Sequence, residues 1–205
     1  MSFKTLSLLL ILCLPIACSG GSKTNPSKSK TIEFNHPVFG LIELEYEPHS
    51  DSEIDYVVSE KPIRISFFIN NRNFPRAKEL LDRVAIFIAD MKRFEQLASN
   101  EIKRNLSQTG KRSNVDEHPV RAYKDHILET FNEAQLQKVF SSQDPKDISD
   151  ETFLSHLKLF DIVLSPDDET EGARFYFTVS SEITYYRLVV VFDGNGEIFN
   201  LSMVS

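Results

Sequence analysis

RFYFTVSSEITYYRLVVVFDGNGEIFNLSM, residues 174–203, is the stretch that decides the fold class. Phe175, Phe177 and Val179 alternate with Arg174, Tyr176 and Thr178. Tyr186, Leu188, Val190 and Phe192 repeat that period, and Phe199, Leu201 and Met203 end the chain in the same way. A period of two puts every second side chain on one face of a strand, so each run predicts a strand with one buried face. Between the last two runs, Asp193-Gly194-Asn195-Gly196 supplies residues that tolerate positive φ, as a tight hairpin requires. Phe160, Ile162 and Leu164 form one more such run upstream. Four strands on short links predict an antiparallel meander.

Upstream of the meander the period changes to that of a helix. Asn73 and Pro75 signal a helix start. Ala77, Leu80, Leu81, Val84, Phe87, Ile88, Met91, Phe94, Ala98 and Ile102 then follow at helical spacing, which predicts one helix to about Leu106, bent near Ser99-Asn100. Gly110 to Glu117 reads as a polar loop. Pro119 opens a second helix with Val120, Tyr123, Ile127 and Phe131 on one face; Leu136, Val139 and Phe140 continue it or form a third. Asp144-Pro145 breaks the pattern, and Ser149 is placed to cap a short helix through His156.

Nearer the start, strands return. Thr31 to Phe34 predicts a short opening strand that turns through His36-Pro37-Val38-Phe39-Gly40. Ile42, Leu44 and Tyr46 alternate with Glu43, Glu45 and Glu47, and Ile63, Ile65, Phe67 and Ile69 follow the same pattern. The order strands, helices, strands predicts an α+β fold. An antiparallel sheet, made of the N-terminal strands and the C-terminal four-stranded meander, carries three or so helices on one face.

The first thirty residues are of another kind. Met1 to Lys4 carries one positive charge, Leu6 to Leu14 is almost continuously apolar, and Pro15-Ile16-Ala17 leads to Cys18. A charged start, a short apolar run and a small residue before the cut form the pattern of a secretory signal. The run is far short of the roughly 20 apolar residues that a spanning helix needs. Pro15-Ile16-Ala17-Cys18 resembles the lipobox of bacterial lipoproteins, in which the cysteine thiol is lipidated before cleavage. Ala17 and Cys18 match it; Pro15 departs from the usual leucine. The resemblance implies a signal peptide over 1–17 and a lipidated Cys18 on a flexible tether over 18–30, followed by a single α+β domain over 31–205. It also implies a membrane partner reached through the lipid. Ser19 stands where aspartate would favour retention in an inner membrane, so the implied place is the periplasmic face of an outer membrane. Acyl chains contribute about 0.8 kcal/mol per buried CH₂, and two chains hold a protein stably. Ser19 to Lys30 is small and polar, with a random-coil reach of roughly 20 Å.

Charge narrows the functional classes. Residues 31–205 hold all 30 acidic side chains and 19 of the 23 basic ones, a net charge of −11. A phosphate-binding surface needs clustered lysine and arginine, so nucleic acid is not an expected partner. An acidic surface attracts a basic protein and speeds encounter, and it equally serves solubility. With Cys13 in the signal and Cys18 lipidated, the domain has no cysteine for a disulfide, a thiolate nucleophile or a metal site.

The local motifs are weak. Asp193 to Ile198 resembles the middle of a calcium-binding loop, but Val191 sits where an oxygen ligand belongs and Ser202 where the bidentate glutamate belongs, so a hairpin is the expectation. Asp167, Asp168, Glu169 and Glu171 form an acidic tip that suits a basic partner or a weakly held cation, and equally a solvated loop. His36, His49, His118, His126 and His156 include no pair at helical metal spacing. His49-Ser50-Asp51 holds triad residue types, but consecutive residues cannot converge on one reacting atom. His126, one turn beyond Tyr123, is read as packing. No cofactor, metal or catalytic residue is expected.

Phe153 to Ser205, with Leu157-Lys158-Leu159, Ser165-Pro166-Asp167-Asp168, Tyr185, Val189-Val190-Val191-Phe192-Asp193, Gly196-Glu197-Ile198 and Met203-Val204-Ser205, resembles the bacterial domain-of-unknown-function family numbered two thousand and four. The Phe39-Gly40 turn and the helix bearing Tyr123 and His126 are also similar. That resemblance covers most of 31–205 and implies no activity for any residue. The expected function is a non-catalytic protein-binding module on a membrane anchor, immunity against a toxin being one form. The alternatives are a structural lipoprotein of envelope assembly and a hydrolase using carboxylates and His126.

Overall fold

The computed structural model describes residues 30–37, 40–46, 53–59, 63–108 and 118–205. Among them the order is strands, helices, strands, and the fold is α+β with a mostly antiparallel sheet. Among the described residues, β1 (Lys30–His36) and β2 (Gly40–Tyr46) pair only with each other. β3 (Glu53–Ser59) and β4 (Arg64–Asn70) begin a six-stranded sheet completed by β5 (Lys158–Leu164), β6 (Ala173–Thr178), β7 (Arg187–Phe192) and β8 (Ile198–Val204). The strands lie in chain order across it.

Two features of this sheet differ from the sequence expectation. The first hairpin lies outside the main sheet, and β4 runs parallel to β5, with Arg64 opposite Asp161 and Phe67 opposite Leu164. Short links force antiparallel neighbours, whereas a long helical crossover lets the chain re-enter the sheet parallel to the strand it left. The whole helical layer lies between β4 and β5, so side-chain alternation could not fix their relative direction. β3 itself had not been expected.

Among the described residues the helices number five, where three or so were expected: α1 (Ala77–Ala89), α2 (Met91–Ser107), α3 (Pro119–Thr130), α4 (Glu133–Phe140) and α5 (Asp150–His156). A 3-10 turn over Asn71–Arg76, carrying Pro75, leads into α1. The helix expected to continue to about Leu106 breaks at Asp90, not near Ser99. The Asp90 amide closes α1 on the Ile86 and Phe87 carbonyls, and its carbonyl accepts from the Arg93 and Phe94 amides to open α2. Asp90 has φ −100° and ψ 9°, and its carboxylate takes a 3.0 Å bond from Arg93 Nε. Aspartate favours such local bonds over a helix interior. The apolar spacing hides the break because Phe87 and Phe94 still meet across it, stacked at 3.9 Å.

Caps fix the remaining helices. Asn105, buried on α2, accepts the Val120 amide at the start of α3. Asn132 and Gln135 form a reciprocal capping box on α4. Ser149 caps α5 through the Thr152 amide, as expected.

All five helices contribute to one core against one sheet face. Leu80, Leu81, Val84, Phe94, Ile102, Tyr123, Ile127, Leu136 and Phe153 meet Phe67, Ile162, Phe175, Leu188, Val190 and Phe192. Burying each large apolar side chain contributes about 1.5–3 kcal/mol. Bulges re-aim two aromatic residues that alternation had placed in this core. The register shifts between Leu159 and Asp161, so Leu159 packs inward and Phe160 instead lies under the Arg187 guanidinium at 5.0 Å. A second shift at Phe192 lets Ile198 pack inward and leaves Phe199 56% exposed. An extra residue in one strand turns its side chains over. The β1–β2 hairpin is tied to α1 through His36, which is buried with its Nε2 3.3 Å from an Asp82 oxygen.

Candidate functional site

The β5–β6 loop and the β7–β8 turn lie at the same end of the sheet, because β5, β6, β7 and β8 alternate in direction. They are tied together. The Gly194 amide donates to the Glu169 carbonyl at 2.9 Å, and the β5–β6 loop is itself closed by the Ser165 amide donating to the Gly172 carbonyl at 2.9 Å. The approach is close enough that a Cβ on Gly172 would lie 3.1 Å from the Asp193 carbonyl oxygen. Gly196 takes φ +80°, and a Cβ there would meet the Phe94 ring at 2.8 Å. Glycine satisfies both demands at that position, the left-handed backbone and the ring against it.

The α1–α2 junction faces these loops across a groove of about 600 Å³. That is within the range of ligand-sized clefts, roughly 300–1,000 Å³. Its apolar part includes Ile86, Phe87, Phe94 and Leu164, and its charged part Arg83, Asp90, Arg93, Asp168, Glu169 and Asp193. Phe94 is buried and packs edge-on against Phe192 at 5.3 Å, so the floor is continuous with the core. Ile86, by contrast, is 71% exposed.

The acidic tip divides. Asp168 and Glu169 line the groove; Asp167 and Glu171 do not. Asp167 accepts from Asn73 Nδ2 at 2.9 Å, and Glu171 pairs with Arg174. One Asp168 oxygen accepts the Thr170 and Glu171 amides, which fixes the carboxylate in place. One Asp193 oxygen likewise accepts the Asn195 and Glu197 amides, at 2.9 Å each. The backbone bond from Glu197 leads the effects that hold the Asp193 carboxyl below its ordinary range. The Asp193–Glu197 stretch is therefore a hairpin turn, and among the described residues no three histidine, cysteine, aspartate or glutamate side chains group to hold a metal ion.

His126 lies elsewhere. Its ring packs on Tyr186 with centroids 4.1 Å apart, at the opposite end of β7 from the groove. The groove and His126 do not share a cavity. Cys18, the signal, residues 19–29 of the tether, His49-Ser50-Asp51 and the Gly110–Glu117 loop lie outside the described residues, while Lys30, expected as the end of the tether, is the first residue of β1. No helix among the described residues is long and apolar enough to cross a membrane.

Sequence reasoning missed Ile86, Phe87 and Phe94 as site residues. Phe87 and Phe94 sat on a helical stripe and read as core, which Phe94 also is. Ile86 carried a usable signal: an isoleucine one position off the apolar stripe of its helix.

With that geometry in hand, comparison adds no relative: no family model matches the chain, and neither a curated protein nor a solved structure matches it.

Proposed function

We propose that this chain is a lipid-anchored, non-catalytic protein-binding module, held by Cys18 at the periplasmic face of an outer membrane. The observation that carries the binding half is the groove. Its apolar floor is braced by the core, and its carboxylates are oriented by backbone amides, an arrangement suited to recognising a partner surface. The anchoring half rests on Pro15-Ile16-Ala17-Cys18 and the polar segment that follows. The resemblance to the family numbered two thousand and four belongs to the same proposal and rests on the strand and turn residues that carry it.

The two halves are tested separately. Wild-type chain should take up labelled fatty acid and fractionate with membranes, and Cys18→Ala should do neither; uptake by the variant would end the anchoring claim. For binding, the full chain is used to capture protein from envelope extracts at low and high salt. A partner enriched in stoichiometric amount supports the module, and no enrichment under either condition removes it.

A further inference from the structure

We propose that the groove seats a basic segment of a partner protein, one apolar side chain flanked by lysine or arginine. This deepens the binding-module reading and rests on it. Three observations lead to that occupant. The cations in the lining are already engaged: Arg83 with Glu79 at 3.2 Å and the Pro166 carbonyl at 3.3 Å, and Arg93 with Asp90 at 3.0 Å. No salt bridge among the described residues reaches Asp168, Glu169 or Asp193, so the lip is left acidic.

The floor is suited to the stems of long cationic side chains as well as to an apolar one. Arg93 already lies over the Phe94 ring, its guanidinium 4.7 Å from the centroid, so the open apolar surface is that of Ile86 and half-buried Phe87. Exposed Ile86, beside Phe87, gives a flanking apolar contact. Lysine and arginine lay their methylene stems on such surface while the charge reaches outward. The net charge of −11 over 31–205 opposes a second copy as occupant and favours a basic one.

The test uses the full chain in non-ionic detergent and a short fluorescent peptide of lysine and arginine around one leucine. Binding is read by anisotropy. The peptide should bind, an acidic counterpart should not, and replacing its leucine with serine should weaken binding about tenfold. Raising salt to about 0.5 M should weaken it by at least about tenfold. Ile86→Ser and Glu169→Lys should each weaken it by about tenfold or more. Glu129→Lys makes the same change in net charge on an exposed site of α3 one turn beyond His126, at the other end of the sheet, and should change it less than about threefold. Circular dichroism melts of each variant confirm folding.

Equal losses from Glu129→Lys and Glu169→Lys would mean unspecific attraction and overturn the proposal. So would peptide binding untouched by Ile86→Ser and Glu169→Lys, or no peptide binding at all. A dimer in sedimentation that Ile86→Ser dissociates would make a second copy the occupant, and overturns it equally. Capture of a partner from envelope extract that both groove variants retain overturns the groove assignment and leaves the binding module standing. Absence of any captured partner removes the module itself.

Discussion

The two ends of the C-terminal meander share the same strands and differ in how the helices meet them. At the β6–β7 end, polar atoms turn inward. The Tyr123 hydroxyl lies 3.2 Å from Thr178 Oγ1 and accepts the Val179 amide at 3.3 Å, with Phe153 packed on its ring and His126 on Tyr186. Burial pushes the Tyr123 phenol up, as expected for a neutral hydroxyl held in the core. At the β5–β6 and β7–β8 end the backbone is tied just as firmly, yet Ile86, Asp168 and Glu169 face outward. Backbone order is thus common to both ends, and both carry exposed side chains: at the β6–β7 end Tyr185 is 83% exposed and Glu182 pairs with Lys138 at 2.9 Å, whereas at the other end Ile86 and the carboxylates of Asp168 and Glu169 line one groove. An end whose polar groups are internally paired serves the fold, and an end that leaves a mixed surface over a rigid frame is the one available to a partner.

The largest expected break in that contrast is Phe94→Ala. The ring stacks on Phe87, meets Phe192 and supports Gly196, so its loss opens a cavity shared by groove and core. Urea unfolding should show a loss of about 3–4 kcal/mol. Amide exchange should rise first at the Asp193–Glu197 turn and leave the Tyr123 end protected. A loss below about 1 kcal/mol would mean that the groove floor is not part of the core.

Next comes the brace between α3 and α5. Asp150 takes bonds from Arg121 at 2.9 and 3.0 Å and from Lys124 at 2.7 Å, and the Lys124 side chain is only 7% exposed. The bond from Arg121, with Lys124 adding to it, holds the Asp150 carboxyl below its ordinary value against a smaller burial effect. Asp150→Ala strands the lysine charge. Because Arg121 and Asp150 are about one-third exposed, the expected cost is about 2 kcal/mol, less than for a fully buried pair. A depressed folded-state pKa gives stability that is complete above the unfolded carboxylate pKa and is lost as pH falls through the folded value. The gap in urea midpoint between wild type and Asp150→Ala should therefore be full at neutral pH and narrow as pH drops below about 4. A gap of constant size across that range would show that the carboxylate charge is not what matters there.

The same contrast explains which features were legible from sequence. Alternation found β5 to β8, and the Asp193–Gly196 string found its turn, because strand period and turn chemistry are local. The parallel β4–β5 pairing depends on a helical crossover, and the displacement of Phe160 and Phe199 depends on bulges with no residue signature of their own. Asp90 was invisible as a break because Phe87 and Phe94 keep an unbroken apolar stripe around it. The acidic tip was read as one cluster, yet only space decides that Asp168 and Glu169 face the groove while Asn73 and Arg174 engage Asp167 and Glu171.

Ile86→Ser carries the smallest expected effect on stability and cuts the contrast most sharply. A side chain 71% exposed on α1 contributes little to folding, so thermal or urea unfolding should move by less than about 0.5 kcal/mol. An isoleucine at such a position adds exposed apolar surface without strengthening the core. If the variant instead loses more than about 1.5 kcal/mol, Ile86 is a packing residue of the α1–α2 junction, and the two ends of the meander serve the fold alike. If stability holds while binding of the basic peptide falls, the outward surface at this end is maintained for contact rather than for folding.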